Sequence, residues 1–156
     1  MSAEDSEEPE LRLADHRFFR GMDPEFLGRL GEKTYVRTFE AGALIVREGD
    51  PADEFLALFS GKVALEIIVA DRPRTTVQTL GAGDVLGWSW LFPPHQWRVD
   101  ARAVKVTRAL GLAAAPLRDL LEERPADGYV FLMRLLPVIA QRLENTRLQL
   151  LDLHGR

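Results

Sequence analysis

The run Phe39-Glu-Ala-Gly-Ala-Leu-Ile-Val-Arg-Glu-Gly-Asp-Pro-Ala-Asp-Glu-Phe-Leu-Ala-Leu-Phe-Ser-Gly-Lys-Val63 decides how the rest of the chain is read. It consists of short β-type groups cut by glycines, and that texture holds from Thr34 to about Leu112, with further cuts at Gly81, Gly83, Gly87 and Gly111. Punctuation this regular predicts antiparallel strands in a barrel or sandwich. Directly downstream, Lys62 to Val69 alternates: Val63, Leu65, Ile67 and Val69 fall on one face, Ala64, Glu66 and Ile68 on the other. One face of that strand is core. Asp71-Arg72-Pro73-Arg74 then forms a polar turn, and Thr75 to Leu80 returns as the partner strand.

On either side the pattern becomes helical. Leu11 to Glu32 carries Leu13, Phe18, Phe19, Phe26, Leu27 and Leu30 as apolar points, with Asp23-Pro24 in the middle. Asp23 can cap a helix whose first turn accepts Pro24, because that position needs no intrahelical donor, so two short helices are expected. After Ala115-Pro116 the chain reads as a short helix, Leu117 to Glu123, then a break at Arg124-Pro125. A long terminal helix follows over about 126–154, with Asp127 as its cap. Within it Leu132, Leu136, Ile139, Leu143, Thr146, Leu150 and Leu153 alternate at spacings of four and three, a heptad seam with one polar position. Such a seam serves to pair two copies, or packs in part on the β-body. Pro137 inside it predicts a kink or a boundary near Met133.

The chain has 156 residues, enough for one domain with a core and too few for two. Five of its 24 acids, Glu4, Asp5, Glu7, Glu8 and Glu10, crowd into residues 1–10, which read as a solvated, disordered acidic tail. Without them the balance is near neutral, and no basic face suits nucleic acid. There is no secretory signal and no run long enough to cross a bilayer, so a cytoplasmic protein with no membrane attachment is expected. With no cysteine there is no disulfide, thiolate nucleophile or cysteine metal site. Gly-x-Ser-x-Gly, phosphate-loop and His-Glu-x-x-His patterns are also missing, and the expectation is a non-enzyme.

Gly42, Ile45, Gly49, Asp50, Ala52, Asp53, Gly61 and Val63 keep a spacing that resembles the first half of a cyclic nucleotide-binding domain, as in catabolite-activator-type regulators. The resemblance continues through Gly83-Asp84-Val85-Leu86-Gly87 and into the long helix, where Ala140-Gln-Arg-Leu143 is similar to the family's dimerising helix. It covers nearly everything after the acidic tail, residues 11–156. The implied fold is mainly β with flanking helices: a double-stranded β-helix, or jelly-roll-like β-roll, with N-terminal helices and a long C-terminal helix. Because the family's regulators carry a helix-turn-helix after that helix and this chain ends at Arg156, no direct DNA binding is expected.

In the family a short helix presents its N-terminal amides to the cyclic phosphate. That cradle corresponds to Gly87-Trp88-Ser89-Trp90-Leu91-Phe92. Members that bind cAMP follow the glycine with a glutamate for the ribose, and about ten positions on place an arginine for the phosphate. Trp88 stands in the glutamate's place and Trp97 in the arginine's. Arg98 is one step away, which on a strand turns it to the opposite face unless a bulge restores it; otherwise it is a solvent-facing arginine, with Asp100 as a partner within reach. Charge-assisted bonds are worth roughly 1.5–3 kcal/mol each, so losing two weakens cAMP binding at least about a hundredfold.

The candidate ligand contacts are therefore Leu86, Gly87, Trp88, Ser89, Trp90, Trp97, Arg98 and Val99, joined by Thr146 and Arg147 where the family's helix reaches the base. Trp88, Trp90 and Trp97 either line a pocket for a planar ligand, cyclic nucleotide or other, or fill the old pocket as core. His95 lacks the companions a metal or haem site needs. Two functions stay open: a stand-alone sensor or regulatory domain that signals through its C-terminal helix to a partner protein, or a degenerate domain that binds nothing small and serves as a homodimeric scaffold or accessory subunit.

Overall fold

The computed structural model describes residues 10–154. The acidic segment before Glu10 lies outside the described residues, and of Leu153 and His154 only the backbone is described. The chain runs through a 3₁₀ turn (Leu13–Asp15), α1 (Pro24–Gly31), β1 (Thr34–Phe39), β2 (Leu44–Val46), β3 (Glu54–Ile67), β4 (Thr75–Leu80), β5 (Val85–Leu86), β6 (Asp100–Ala113), α2 (Ala114–Glu123) and α3 (Pro125–His154). The fold is the expected mainly β roll flanked by helices.

Two long strands organise it. The first half of β3 pairs antiparallel with the last third of β6, from Glu54↔Ala113 to Leu58↔Ala109; its second half pairs with the start of β6, from Val63↔Ala103 to Glu66↔Asp100. Between these stretches the register shifts three times, and such bulges bend and twist a ladder until it rolls up. β1 and β2 then cover opposite ends of β6, while β5 and β4 cover opposite ends of β3. Gly61 marks the bend at φ +101°, where a Cβ would stand 2.5 Å from Thr107 Cα and 2.6 Å from the Val106 oxygen. No side chain fits so close to the opposite backbone.

The strand expected over Lys62 to Val69 is the second half of β3. Val63 and Leu65 are buried, but the strand stops at Ile67 and Ile68 is exposed. Thr75 to Leu80 returns as its partner, with Val63 opposite Leu80 and Ile67 opposite Thr75.

Of the two N-terminal helices, only the second forms. Asp23 caps it by accepting the Phe26 amide at 3.1 Å, with Pro24 in the first turn. Upstream a single 3₁₀ turn gives way at His16, whose imidazole Nδ1 accepts the Phe18 amide and so takes the place of a helical acceptor. α3 begins at Pro125, so Asp127 is not its cap; it sits in the first turn and pairs with Arg124 at 2.7 Å. Pro137 creates no boundary, and the helix continues through it. Phe131, Leu135 and Val138, packed on the core around that point, hold the helix on both sides of the missing hydrogen bond.

α3 packs on β4 and α2. Phe131 enters an aromatic cluster with Phe18, Phe19, Phe55 and Trp90, ring centroids 5.0 to 6.1 Å apart. Edge-to-face rings at these separations add to the burial of large apolar surfaces. The inward face of α3 thus reads Phe131, Leu135, Val138 and Arg142. The heptad seam lies beside it and divides: Leu136 is 54% and Leu143 71% exposed, whereas Ile139 packs partly on the core and Thr146 is half-buried.

Candidate functional site

The segment between β5 and β6 does not form the expected short helix. Residues 88–91 make a hydrogen-bonded turn, with the Leu91 amide donating to the Trp88 oxygen at 2.9 Å. Trp90 is the cause. Its ring is fully buried between Phe55 and Phe131, and its Nε1 donates to the Gly87 oxygen at 2.9 Å, folding the segment inward. Trp97 closes the same space from the other side. It is buried, and its ring lies so close to Gly87, at φ +106°, that a Cβ there would meet it at 2.6 Å. Leu86, Gly87 and Ser89 are buried with them.

The three tryptophans therefore divide. Trp90 and Trp97 fill, whereas Trp88 is half-buried and lines a cavity of about 260 Å³ with Ile67, Arg98, Val99, Ile139, Arg142, Leu143 and Thr146. Arg98 reaches its lining without a bulge, yet the residue is exposed, as the solvent-facing reading expected. Residues 97–99 precede β6 and are not strand, so the alternation of strand faces does not govern them and Arg98 and Val99 both line the cavity. Arg98 does not pair with Asp100. That carboxylate is buried, accepts the Glu48 amide at 2.8 Å and is bridged by Arg74. The Arg98 guanidinium instead stands 6.0 Å from the Phe92 ring centroid.

Of the two helix residues, Thr146 is at the cavity, its hydroxyl donating to the Arg142 oxygen at 2.9 Å. Arg147 is outside, exposed and paired with Glu144 at 2.8 Å.

Arg142 is the residue that sequence reasoning missed. It is 4% exposed, its guanidinium carbon lies 4.4 Å from the Trp88 ring centroid, and its Nε donates to Gln78 Oε1 at a long 3.4 Å. Its Nη2 is buried without a hydrogen-bond partner. Burial pushes its pKa down to about 10, so the group stays charged at neutral pH. A buried cation with no carboxylate paired to it is costly, and the Asp84 charge offsets that cost only from a distance. Stacking on indole offsets part of that cost. The available signal was its place in the inward stripe: after Phe131, Leu135 and Val138, a fourth position at helical spacing is an arginine.

Among the described residues no group of three or more His, Cys, Asp or Glu is placed to hold a metal, and no helix is long and apolar enough to cross a membrane.

Residues 36–124 match the family model described as cyclic nucleotide-binding domain. A CRP-like cAMP-activated global transcriptional regulator of Mycobacterium tuberculosis is 28% identical over 141 residues, 90% of this chain and 61% of the regulator. The chain thus spans about three fifths of that relative's length. A cyclic nucleotide-binding protein structure from Geobacter metallireducens superposes with TM-score 0.73 at 26% identity, covering 92% of this chain and 99% of that one. The Thermus thermophilus catabolite activator protein superposes at 0.68 with 26% identity, over 89% of this chain and 63% of its own.

Proposed function

The chain belongs to the cyclic nucleotide-binding domain family, and from that premise we propose that it is a regulatory sensor domain of the cytoplasm. In this reading a small ligand in the cavity at Trp88 repositions α3, and α3, paired with a second copy along its exposed seam, passes the change to a partner protein. One observation carries it. The cavity has two walls: Ile67, Trp88, Arg98 and Val99 belong to the roll, while Ile139, Arg142, Leu143 and Thr146 belong to α3. A molecule touching both walls has different contacts in each arrangement of the helix. That difference in affinity is what shifts a conformational equilibrium.

A second reading, a dimeric scaffold that binds nothing small, is favoured by the packing of Trp90 and Trp97 into the space beside Gly87. The chain's lack of cysteine makes the two separable, because a single label can be placed by Leu150→Cys. Thermal melts with cAMP, cGMP and a panel of small planar compounds are read beside the spectrum of a label at position 150. A melting-point rise with a change at the label supports the sensor. A rise without that change removes signalling through α3, and no rise with any compound leaves the scaffold.

A further inference from the structure

Two guanidinium groups and no carboxylate line the cavity at Trp88. Arg142 carries the argument. Buried arginines are ordinarily paired, since the cost of stripping water from a charge is recovered only by an acceptor held in good geometry. Here Nη2 has no acceptor, Nε has only a long bond to Gln78, and the flat face rests on Trp88. A packed apolar residue would be cheaper at this position. The arrangement makes physical sense when the missing acceptor arrives with a ligand.

The rest of the lining limits what that ligand is. Ile67, Val99, Ile139 and Leu143 are apolar and Trp88 offers an indole, so the body of the molecule is apolar and flat. No carboxylate and no side-chain amide stands there to accept from a ribose or an exocyclic amine, and with its hydrogen committed to the Arg142 oxygen the Thr146 hydroxyl offers the one side-chain acceptor of the lining. The ligand therefore carries an acceptor group and few donors.

We propose that the cavity takes a small aromatic carboxylate, its ring against Trp88 and its acid on Arg142, with Arg98 as the second cation. This rests on the sensor reading and gives it a ligand class. The anchor then sits on α3, so the ligand's charge pulls directly on the signalling helix.

The test uses 2-naphthoate, its uncharged amide 2-naphthamide, and cAMP, measured by calorimetry on the chain and on Arg142→Met and Arg142→Lys. Naphthoate is expected to bind, with the amide weaker by about tenfold or more, the worth of one charge-assisted bond. Arg142→Met is expected to lose naphthoate by a similar factor while melting no lower than the parent, because an apolar side chain replaces an unpaired buried charge. Arg142→Lys keeps the charge and is expected to retain part of the affinity. Equal binding of acid and amide, or undiminished binding to Arg142→Met, overturns the anion anchor and leaves the sensor reading standing. Tighter binding of cAMP than naphthoate overturns the aromatic-acid class. Binding by none of these, nor by the wider panel, removes both inferences together.

Discussion

Gly42 and Gly61 share a backbone conformation, φ +88° and +101°, but not surroundings. A methyl group on Gly42 meets nothing within 4 Å, so Gly42→Ala carries only the left-handed penalty, about 1 kcal/mol. At Gly61 it would lie 2.5 Å from Thr107 Cα, a backbone atom of the ladder that cannot move aside, and the cost rises to about 3 kcal/mol or more. Urea unfolding of the two variants measures the difference; equal midpoints would contradict the bend as described. His16 gives a second residue-level expectation. Its Nδ1 accepts the Phe18 amide, its Nε2 bonds the Leu58 oxygen at 2.9 Å, and burial lowers its pKa below 6.5. Between the folded value and 6.5 the unfolded chain binds the extra proton more readily. The contribution is complete above 6.5 and is lost as pH falls toward the folded pKa. Unfolding free energy measured from pH 7.5 to 5 should therefore fall, and His16→Gln should flatten that slope even where it is less stable throughout. Glycine spacing of the Gly42 and Gly61 kind is what made the roll legible, because each position reports a local backbone demand. Arg142 reports nothing local, since its burial depends on the roll beneath it.

At the level of the element, α3 has two apolar stripes at helical spacing, and periodicity could not rank them. Leu132, Leu136, Ile139 and Leu143 make one; Phe131, Leu135 and Val138, continued by Arg142, make the other. The aromatic cluster chose the second, because Phe131 fits among Phe18, Phe55 and Trp90 and draws the helix round with it. The expected cassette helix was lost for the same reason: Trp90 gains more by joining that cluster than residues 88–91 gain from one helical turn. The two stripes should respond differently to substitution. Phe131→Ala empties the centre of the cluster and should cost about 3–5 kcal/mol. Leu143→Glu, on a side chain 71% exposed, should change monomer stability by no more than about 0.5 kcal/mol and yet dissociate the proposed pair. Sedimentation at tens of micromolar tests this. A parent chain that sediments as a monomer defeats pairing along the seam, and a Leu143→Glu variant that remains dimeric places the interface elsewhere.

Across the whole molecule the proposed ligand site and the proposed pairing seam share one helix, and on Ile139, Leu143 and Thr146 they share side chains. Where two equilibria couple through one rigid element the coupling is reciprocal, and because a pair holds two sites, pairing changes by the square of the factor by which each site's affinity changes. If saturating naphthoate tightens pairing about tenfold, near 1.4 kcal/mol shared by the two sites of the pair, then each site of the paired chain binds naphthoate about threefold more tightly than the single chain does. Both sides of that equality are measurable. Dilution sedimentation with and without ligand yields one factor, and calorimetry on the parent against Leu143→Glu bears on the other, although Leu143 itself lines the cavity. Leu136→Glu is the cleaner comparison, because Leu136 is 54% exposed, lies two turns along the seam from Leu143 and does not line the cavity. The expected outcome in the parent is a pairing factor equal to the square of the per-site binding factor, both collapsing to unity in Arg142→Met, where the anchor on α3 is gone. Ligand binding that leaves pairing unchanged in the parent would mean that α3 closes the cavity without relaying its occupancy.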